Sequence, residues 1–338
     1  MKIKSVISAA ILTLILILSG CGSPKSTSEN KEVKDKETLN VYTTIYPLED
    51  FTKKIGGEFV DVKSIYPPNV DAHTYEPSTK DMVNLANSDL FIYTGVGIEG
   101  FSEKASETLK KEDVQILKAG EGLELIESSH SHEHEHENEH HEDEAHDDEH
   151  KDSHEHKEEE HHHGDVDPHI WLDPSLAIDL ANNIKTSLSK LMPEHKEEFE
   201  SNYTQLKGEL EKLDQEFKTT IENSKTKYLL VTHAAYGYWE KRYGIEQIAI
   251  TGLSPTQEPT QKQLQEIIQK STEHNIHYVI FEQNVSPKVA KIIQEELGAK
   301  SLTLHNLEAV TEENVKQKDD YLSIMRENLE TIKTALNE

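Results

Sequence analysis

The chain has 338 residues and a formal net charge of −29, a length that allows two domains with a hydrophobic core each. The acidic balance argues against a nucleic-acid partner, because phosphate recognition needs clustered lysine and arginine. A single cysteine excludes an internal disulfide and any zinc cluster built from cysteines. The 20 histidines are the unusual feature, and they are the first indication that the protein handles a metal.

Residues 1–20 have the features of a secretory signal peptide. Two lysines give a positive start, and the apolar run that follows is shorter than a membrane span of about 20 residues. The run ends in Leu-Ser-Gly-Cys at residues 18–21, which resembles a bacterial lipobox. This resemblance implies that Cys21 carries a lipid anchor and that residues 21–37 are a flexible tether. We therefore expect an exported protein, held on the bacterial cell membrane and facing outside the cytoplasm.

Strand-like and helix-like runs alternate through residues 38–192, which we predict to be an N-terminal α/β domain. The strand candidates are rich in apolar, β-branched or aromatic residues; they are 39–46, 59–66, 90–96 and 114–117. Helix-like stretches such as 80–88 lie between them. This alternation predicts a parallel sheet that is covered by helices.

An acidic, histidine-rich segment at residues 127–163 interrupts this domain. Its 37 residues include 13 histidines, 16 acidic residues and two lysines, so it carries −14 of the net charge. With almost no apolar residue it cannot form a core, and we predict a disordered loop. Clustered imidazoles and carboxylates bind Zn²⁺, Cu²⁺ or Ni²⁺ with modest selectivity, although a merely solubilising charge run is the alternative. The accessory metal-binding candidates are His130, His132, His134, His136, His140, His141, His161, His162 and His163.

Residues 193–225 are predicted to form one long linker helix. Its apolar residues recur every three or four positions, which places them on one face; they are Phe199, Tyr203, Leu206, Leu210, Leu213, Phe217 and Ile221. Pro193 suits the first turn, and a helix of about 30 residues would be about 45 Å long. The apolar face is either a coiled-coil partner surface or, as we favour, a stiff strut that packs on both domains.

The alternation returns in residues 226–338, which we predict to be a C-terminal α/β domain. The strand candidates are 228–232, 247–251, 277–281 and 301–304, and the helix candidates are 261–273, 287–297 and 321–336. The predicted fold is therefore two parallel-sheet (βα)4-like domains joined by one long helix. Because ligands of open α/β sheets bind at the carboxyl ends of strands, we expect the binding site in the cleft between the domains.

Three histidines outside the loop lie in informative surroundings. His73 follows a predicted strand in Asn-Val-Asp-Ala-His-Thr-Tyr-Glu-Pro, and His233 ends another in Thr-His-Ala-Ala-Tyr-Gly-Tyr. His169 lies in Asp-Pro-His-Ile-Trp-Leu-Asp-Pro, just past the charged loop. Since two of these positions follow strands of different domains, their imidazoles are expected to face one another across the cleft.

These three runs resemble the metal-receptor cluster of solute-binding proteins that serve ABC importers. The resemblance spans nearly all of the chain after the tether. It implies two α/β domains joined by one long helix, with a metal buried between them. In that family zinc receptors carry histidine at the place of His233, where manganese receptors carry a carboxylate. A histidine-rich acidic loop before the second motif is also a feature of zinc receptors, so the resemblance implies that Zn²⁺ is the transported ligand.

The resemblance places a fourth ligand, a carboxylate, at Glu308. Glu282, His305 and a water molecule remain alternatives, and a variant with a carboxylate beside the first histidine is disfavoured by Ala72. Three imidazoles and one carboxylate suit four-coordinate zinc, whereas Mn²⁺ and Mg²⁺ prefer more oxygens. Asp167, Asp173 and Glu76 are candidates to orient the imidazoles, and sequence proximity alone suggests them.

The expected function is that of a non-enzymatic receptor, which captures zinc outside the membrane and delivers it to an ABC permease. A manganese receptor of the same fold is one alternative, and a surface metal buffer built on the loop is another. A zinc hydrolase with Glu282 as its base is a third alternative, but no His-Glu-x-x-His helix, nucleophile elbow or phosphate-binding loop is present in the sequence.

Overall fold

Eight strands form two parallel sheets in the computed structural model, which describes residues 38–127, 166–284 and 287–338. The strands are β1 (Leu39–Thr43), β2 (Val60–Ser64), β3 (Leu90–Tyr93), β4 (Gln115–Lys118), β5 (Tyr228–Val231), β6 (Glu246–Ala249), β7 (Tyr278–Glu282) and β8 (Lys300–Leu304). The first sheet has the order β2-β1-β3-β4, and the second repeats it as β6-β5-β7-β8. The described residues all belong to one compact unit, 37–338.

Helices precede, connect and cover the strands. They are α1 (Tyr46–Gly56), α2 (Thr79–Ala86), α3 (Ser102–Leu109), α4 (Pro174–Leu191), α5 (Lys196–Glu222), α6 (Gly237–Tyr243), α7 (Gln261–Glu273), α8 (Lys288–Leu297), α9 (Glu312–Gln317) and α10 (Tyr321–Asn337). We call β1–β4 with α1–α3 the first lobe, and β5–β8 with α6–α10 the second lobe. Within the described ranges, no helix combines the length and apolarity that crossing a bilayer requires.

The predicted fold class is confirmed: two four-stranded parallel sheets, connected by a long helix. The central strands β3 and β7 are buried along their whole length, as expected for parallel strands that are covered on both faces. Three predicted strands of the first lobe extend too far at their carboxyl ends. The reason is that Ile45, Tyr66 and Val96 are buried loop residues rather than strand residues, so apolar character continues past the last ladder bond.

The predicted domain boundaries stay a prediction. Residues 1–37, with the signal peptide, the tether and Cys21, lie outside the described residues. So does the histidine-rich loop after Glu127. The two described ends of that loop lie together, because Glu127 and Val166 form an antiparallel bridge and Asp167 N donates to Ile126 O over 3.0 Å.

The linker helix α5 lies against both lobes. Its 27 residues correspond to a length of about 40 Å. Asn202 Nδ2 donates to Ile55 O of the first lobe over 3.0 Å, and Tyr243 of the second lobe donates to Asp214 over 2.9 Å. All but one of the predicted apolar residues are buried, since Tyr203 is only half-buried. These contacts favour the strut interpretation over a coiled-coil surface.

The start of α5 differs from the expectation. Pro193 belongs to a separate 3₁₀ turn, Pro193–His195, and the α-helix begins at Lys196. His195 of this turn stacks on Phe59 of the first lobe with 3.7 Å between the ring centroids. The turn therefore packs against the first lobe before the helix begins.

The packing of α5 against the second lobe can be tested with Phe217→Ala. The Phe217 ring is fully buried and lies 5.3 Å from the Trp239 ring and 5.7 Å from the Tyr243 ring. Removing it leaves a cavity, so we expect the free energy of unfolding in urea to fall by about 3–5 kcal/mol. Glu209→Ala, at an exposed position of the same helix, should change it by less than about 0.5 kcal/mol. Equal losses in both variants would contradict the strut.

Candidate metal centre

Four predicted residues meet in the cleft between the lobes: His73, His169, His233 and Glu308. They come from four separate segments, which are the loop after β2, the turn before α4, the loop after β5 and the loop after β8. One ligand atom from each residue lies within 4.8 Å of the others. The structure thus brings the predicted set together in one cluster.

The distances within this group suit a small cation. His169 Nε2 and His233 Nε2 are 3.3 Å apart, and His73 Nε2 lies 3.6 Å from Glu308 Oε1. Zn–ligand bonds of about 2.0–2.1 Å at tetrahedral angles place neighbouring ligand atoms about 3.3 Å apart. Closing the group around a zinc ion therefore requires only small side-chain movements.

The group is buried and two of its polar atoms have no partner. His169, His233 and Glu308 are at most 1% exposed, whereas the His73 side chain retains 10%. Solvent therefore approaches the centre on the side of His73. Within the described part of the chain, His73 Nε2 and Glu308 Oε1 are buried without a hydrogen-bond partner. A bound cation would satisfy both lone pairs, which otherwise remain costly.

His169 is held by the run that follows the loop. Asp167 Oδ1 accepts from the His169 backbone N–H over 2.9 Å and lies 2.8 Å from His169 Nδ1. Asp173 then caps α4 by accepting from Ser175 N, and Pro174 occupies the first turn of that helix. Of the three predicted orienting residues, Asp167 thus contacts an imidazole and leaves its Nε2 facing the centre.

The Trp-Leu pair after His169 ties this turn to the second lobe. Trp171 Nε1 donates to Asn306 O over 2.8 Å, and Trp239 Nε1 donates to Leu172 O over 2.6 Å. Tyr321 OH donates to Trp171 O over 2.7 Å. His169 is therefore fixed relative to the second lobe, even though it precedes the linker helix in the chain.

His233 has a carboxylate partner of its own. It follows β5, which pairs directly with β7, and Glu282 is the last residue of β7. His233 Nδ1 bonds Glu282 Oε1, and Asn306 Nδ2 donates to Glu282 Oε2 over 2.8 Å. Glu282, an alternative for the fourth ligand, thus lies behind His233 in this structure.

The loops that carry His73 and Glu308 hold the two lobes together. Ala72 N donates to Glu308 Oε2 over 3.0 Å, and Tyr46 N donates to Glu308 O over 3.1 Å. Asn69, in the left-handed region with φ of 63°, donates its N–H to Val310 O over 2.9 Å. The fourth predicted ligand therefore belongs to the interface between the lobes as well as to the metal centre.

Burial shifts the pKa values of the group in the absence of a cation. Burial, with smaller contributions from the other two imidazoles, lowers the pKa of His73 to about 2. Burial likewise lowers the pKa of His169. His233 is buried too, but the adjacent Glu282 carboxylate raises its pKa. Burial, and then repulsion from Glu282, raises the pKa of Glu308 to about 8, so this carboxyl is neutral at pH 7 without a cation.

The remaining candidates lie elsewhere. Asp173 pairs with Arg242 over 2.5 Å, and Glu76 is exposed. His305 bonds Asn314 Oδ1 through Nε2 and accepts from Leu307 N through Nδ1, so both of its ring nitrogens are engaged. Cys21 and the nine loop histidines lie outside the described residues.

Sequence reasoning missed the roles of Glu282 and Asn306. Both depend on β5 lying beside β7 and on the loop after β8, and strand order cannot be read from hydrophobic periodicity. The only signal was a glutamate that ends an apolar strand. That position suggested that Glu282 could be a metal ligand or a general base, but it did not suggest that Glu282 bonds His233.

Comparison with known proteins places the chain in a family. The family model described as "Zinc-uptake complex component A periplasmic" matches residues 41–335. The chain belongs to this family. It is 34% identical to the high-affinity zinc uptake system protein ZnuA of Bacillus subtilis over 326 residues, which is 96% of each chain. It is 36% identical over 306 residues to the zinc-binding protein AdcA of Streptococcus pyogenes, but it spans only 58% of that longer protein.

A solved structure of a family member resembles this one. The Zn(II)-bound ZnuA-like domain of Streptococcus pneumoniae AdcA matches with a TM-score of 0.69 and 31% sequence identity. The match covers 89% of this chain and 100% of that domain. The two-lobed arrangement of parallel sheets is therefore shared with a protein crystallised with zinc.

The raised pKa of Glu308 predicts a pH effect on the metal-free protein. Because its folded pKa of about 8 exceeds the ordinary 4.5, Glu308 stabilises the fold below pH 4.5 and loses that contribution as pH rises to 8. Glu308→Gln removes this loss. The difference between the free energies of unfolding of the variant and of wild type, measured with a chelator present, should therefore grow in favour of the variant between pH 4.5 and 8. The expected growth is about 1.4 kcal/mol per pH unit. Glu76→Gln, at an exposed position of the loop that carries His73, should follow wild type. A Glu308→Gln curve parallel to that of wild type would contradict a buried carboxyl with a raised pKa.

Proposed function

We propose that this protein is an extracytoplasmic zinc receptor. It captures Zn²⁺ with His73, His169, His233 and Glu308, and it delivers the ion to the permease of an ABC-type zinc importer. A lipid on Cys21 keeps it at the membrane. The observation that carries the proposal is the convergence of three imidazoles and one carboxylate within 4.8 Å in a buried cleft.

The chemistry of the donor set supports zinc. Zinc takes four-coordinate sites built from imidazole and carboxylate, and the Nδ1 atoms of two histidines are already bonded to carboxylates. Such carboxylate–histidine pairs orient the ring and strengthen the ligand. Membership of a zinc-uptake family, and the zinc named for its relatives, point the same way.

Manganese is the less favoured cargo. Mn²⁺ prefers oxygen-rich coordination, whereas three of the four donors here are nitrogens. Among the described residues, the group supplies three imidazoles and one carboxylate, Glu308, and this donor set favours zinc, which takes fewer ligands than manganese.

A hydrolase is disfavoured by the position of Glu282. A general base must reach a metal-bound water, but Glu282 is bonded to His233, Thr232 and Asn306. The receptor interpretation instead uses Glu282 as a support for His233, and it treats the metal as cargo.

A zinc titration tests the receptor against a buffer built on the histidine-rich loop. The protein is prepared after Cys21, with and without residues 131–163; the Glu127–Val166 bridge holds the loop ends together. Both forms should bind one zinc tightly in competition with a chelator, and manganese weakly. His233→Ala should weaken zinc at least about 100-fold, because losing a direct ligand costs at least as much as losing its outer partner.

The matched control is His277→Ala, which removes an exposed histidine of the second lobe and should leave zinc affinity unchanged. If the protein lacking residues 131–163 folds but binds no zinc tightly, the loop is the metal store and the proposed site is wrong. Manganese binding as tight as zinc binding would overturn the choice of cargo.

A further inference from the structure

Asn306 is a buried amide that connects several parts of the metal centre. It is 1% exposed, and its Nδ2 donates to Glu282 Oε2 over 2.8 Å. Its Oδ1 accepts from Gln283 Nε2 over 2.8 Å and from the Glu308 backbone N–H over 3.2 Å. Its backbone O accepts from Trp171 Nε1 over 2.8 Å. One residue thus reaches the partner of His233, the backbone of Glu308 and the turn that carries His169.

These bonds fix which way the Asn306 amide faces. A backbone N–H is always a donor, so the atom that bonds Glu308 N must be the carbonyl oxygen of the side chain. The amide nitrogen therefore faces Glu282 and donates to it. No flip of the amide preserves both bonds.

The orientation of Asn306 also determines which nitrogen of His233 carries the proton. With Oε2 occupied by Asn306, Glu282 accepts through Oε1 from the Thr232 hydroxyl and from His233 Nδ1. An ionised carboxylate only accepts, so the proton of neutral His233 must be on Nδ1. Its Nε2 then carries a free lone pair, and this is the atom that lies 3.3 Å from His169 Nε2 in the centre.

We infer that Asn306 is a positioning residue for metal capture: through Glu282, it holds His233 in the tautomer that binds the ion. This inference rests on the proposed zinc site and adds to it a residue that touches no ligand atom. The direction of the relay runs from the backbone N–H of Glu308, through Asn306 and Glu282, to Nε2 of His233. One hydrogen-bond network thereby positions both Glu308 and the imidazole of His233.

Exchanging the carboxylate and the amide tests the relay. In Glu282→Gln, the new amide either points its NH₂ at the NH₂ of Asn306 or turns it to His233. The second choice forces the proton onto Nε2, where it blocks the ion. We expect zinc affinity to fall by about 10–100-fold in this variant. In Asn306→Asp, two carboxylates face each other, and affinity should also fall.

The double variant Glu282→Gln with Asn306→Asp restores every bond. The carboxylate introduced at position 306 accepts from Gln283, from the Glu308 backbone N–H and from the amide introduced at position 282. The new carbonyl at position 282 still accepts from His233 Nδ1. The number of carboxylates is unchanged, so zinc affinity should return to within about threefold of wild type, as expected when the outer partner is replaced by an equivalent acceptor.

The measurements use the whole chain after the predicted signal peptide, titrated with zinc against a chelator. Each variant is also loaded with cobalt in place of zinc, because the absorption spectrum of the bound cobalt reports its coordination geometry. If Asn306 positions His233, the single variants should change this spectrum and the double variant should recover the wild-type spectrum. A purely structural role for Asn306 would not produce that recovery. Glu216→Gln, which removes a carboxylate paired with Arg326 far along α5, is the control for charge and should bind as wild type. Thermal unfolding of the metal-free proteins checks that each variant folds.

The outcomes separate this inference from the proposed function. If wild type binds zinc tightly and Glu282→Gln binds it with the same affinity, the positioning role of Asn306 is wrong but the proposed function stands. A double variant that binds no better than Glu282→Gln also overturns it. If a single variant fails to fold, the test rests on the double variant, because that variant keeps all the bonds. It must then bind zinc with nearly wild-type affinity and give the wild-type cobalt spectrum. A wild type without tight zinc overturns the proposed function, and the inference with it.

Discussion

Two buried polar atoms at the centre of the cleft lack a partner within the described part of the chain, and the rest of the structure is arranged around them. His73 Nε2 and Glu308 Oε1 lie 3.6 Å apart, buried, with no hydrogen-bond partner among the described residues. A buried group left unsatisfied costs about 1–3 kcal/mol. The other two imidazoles of the group are fixed by bonds of their Nδ1 atoms to Asp167 and Glu282. The proposed ion would remove the cost, and the difference favours capture.

The lobes form a frame that keeps this arrangement fixed. The helix α5 is bonded to Ile55 of the first lobe and to Tyr243 of the second. The Phe51 and Tyr321 rings pack edge to face across the lobes with centroids 4.8 Å apart. His169, Glu308 and His233 all depend on contacts with the second lobe, whereas His73 alone comes from a first-lobe loop and alone retains exposure. The most accessible of the four candidate ligands, His73, is therefore also the one contributed by the first lobe.

Much of the fold follows from local patterns in the sequence. Short apolar runs predict all eight strands to within three residues at each end, and helix α7 has the predicted bounds, 261–273. Its start is marked by a capping box of Thr260 and Gln263. The three histidine candidates were recognisable because they follow strands or lie in a distinctive motif, and the ends of parallel strands converge. Glu308 was predicted from the family resemblance alone.

What the sequence could not predict depends on contacts between distant segments. The adjacency of β5 and β7 brings Glu282 to His233, and the loop after β8 brings Asn306 to both. Asp173 was a candidate to orient an imidazole, yet its neighbour Arg242 and the start of α4 engage it instead. Proximity in the chain identified Asp167 correctly and Asp173 wrongly, because only tertiary packing decides which carboxylate faces a ring.

The most direct test of the central claim is X-ray absorption at the zinc edge, on protein lacking residues 131–163 and loaded with one equivalent of zinc. We expect three imidazole nitrogens and one carboxylate oxygen at about 2.0–2.2 Å from the zinc ion. Glu308→Gln should retain the three imidazoles and change the oxygen ligand. A zinc ion bound by fewer than three imidazoles, or mainly by oxygen, would contradict the proposed centre.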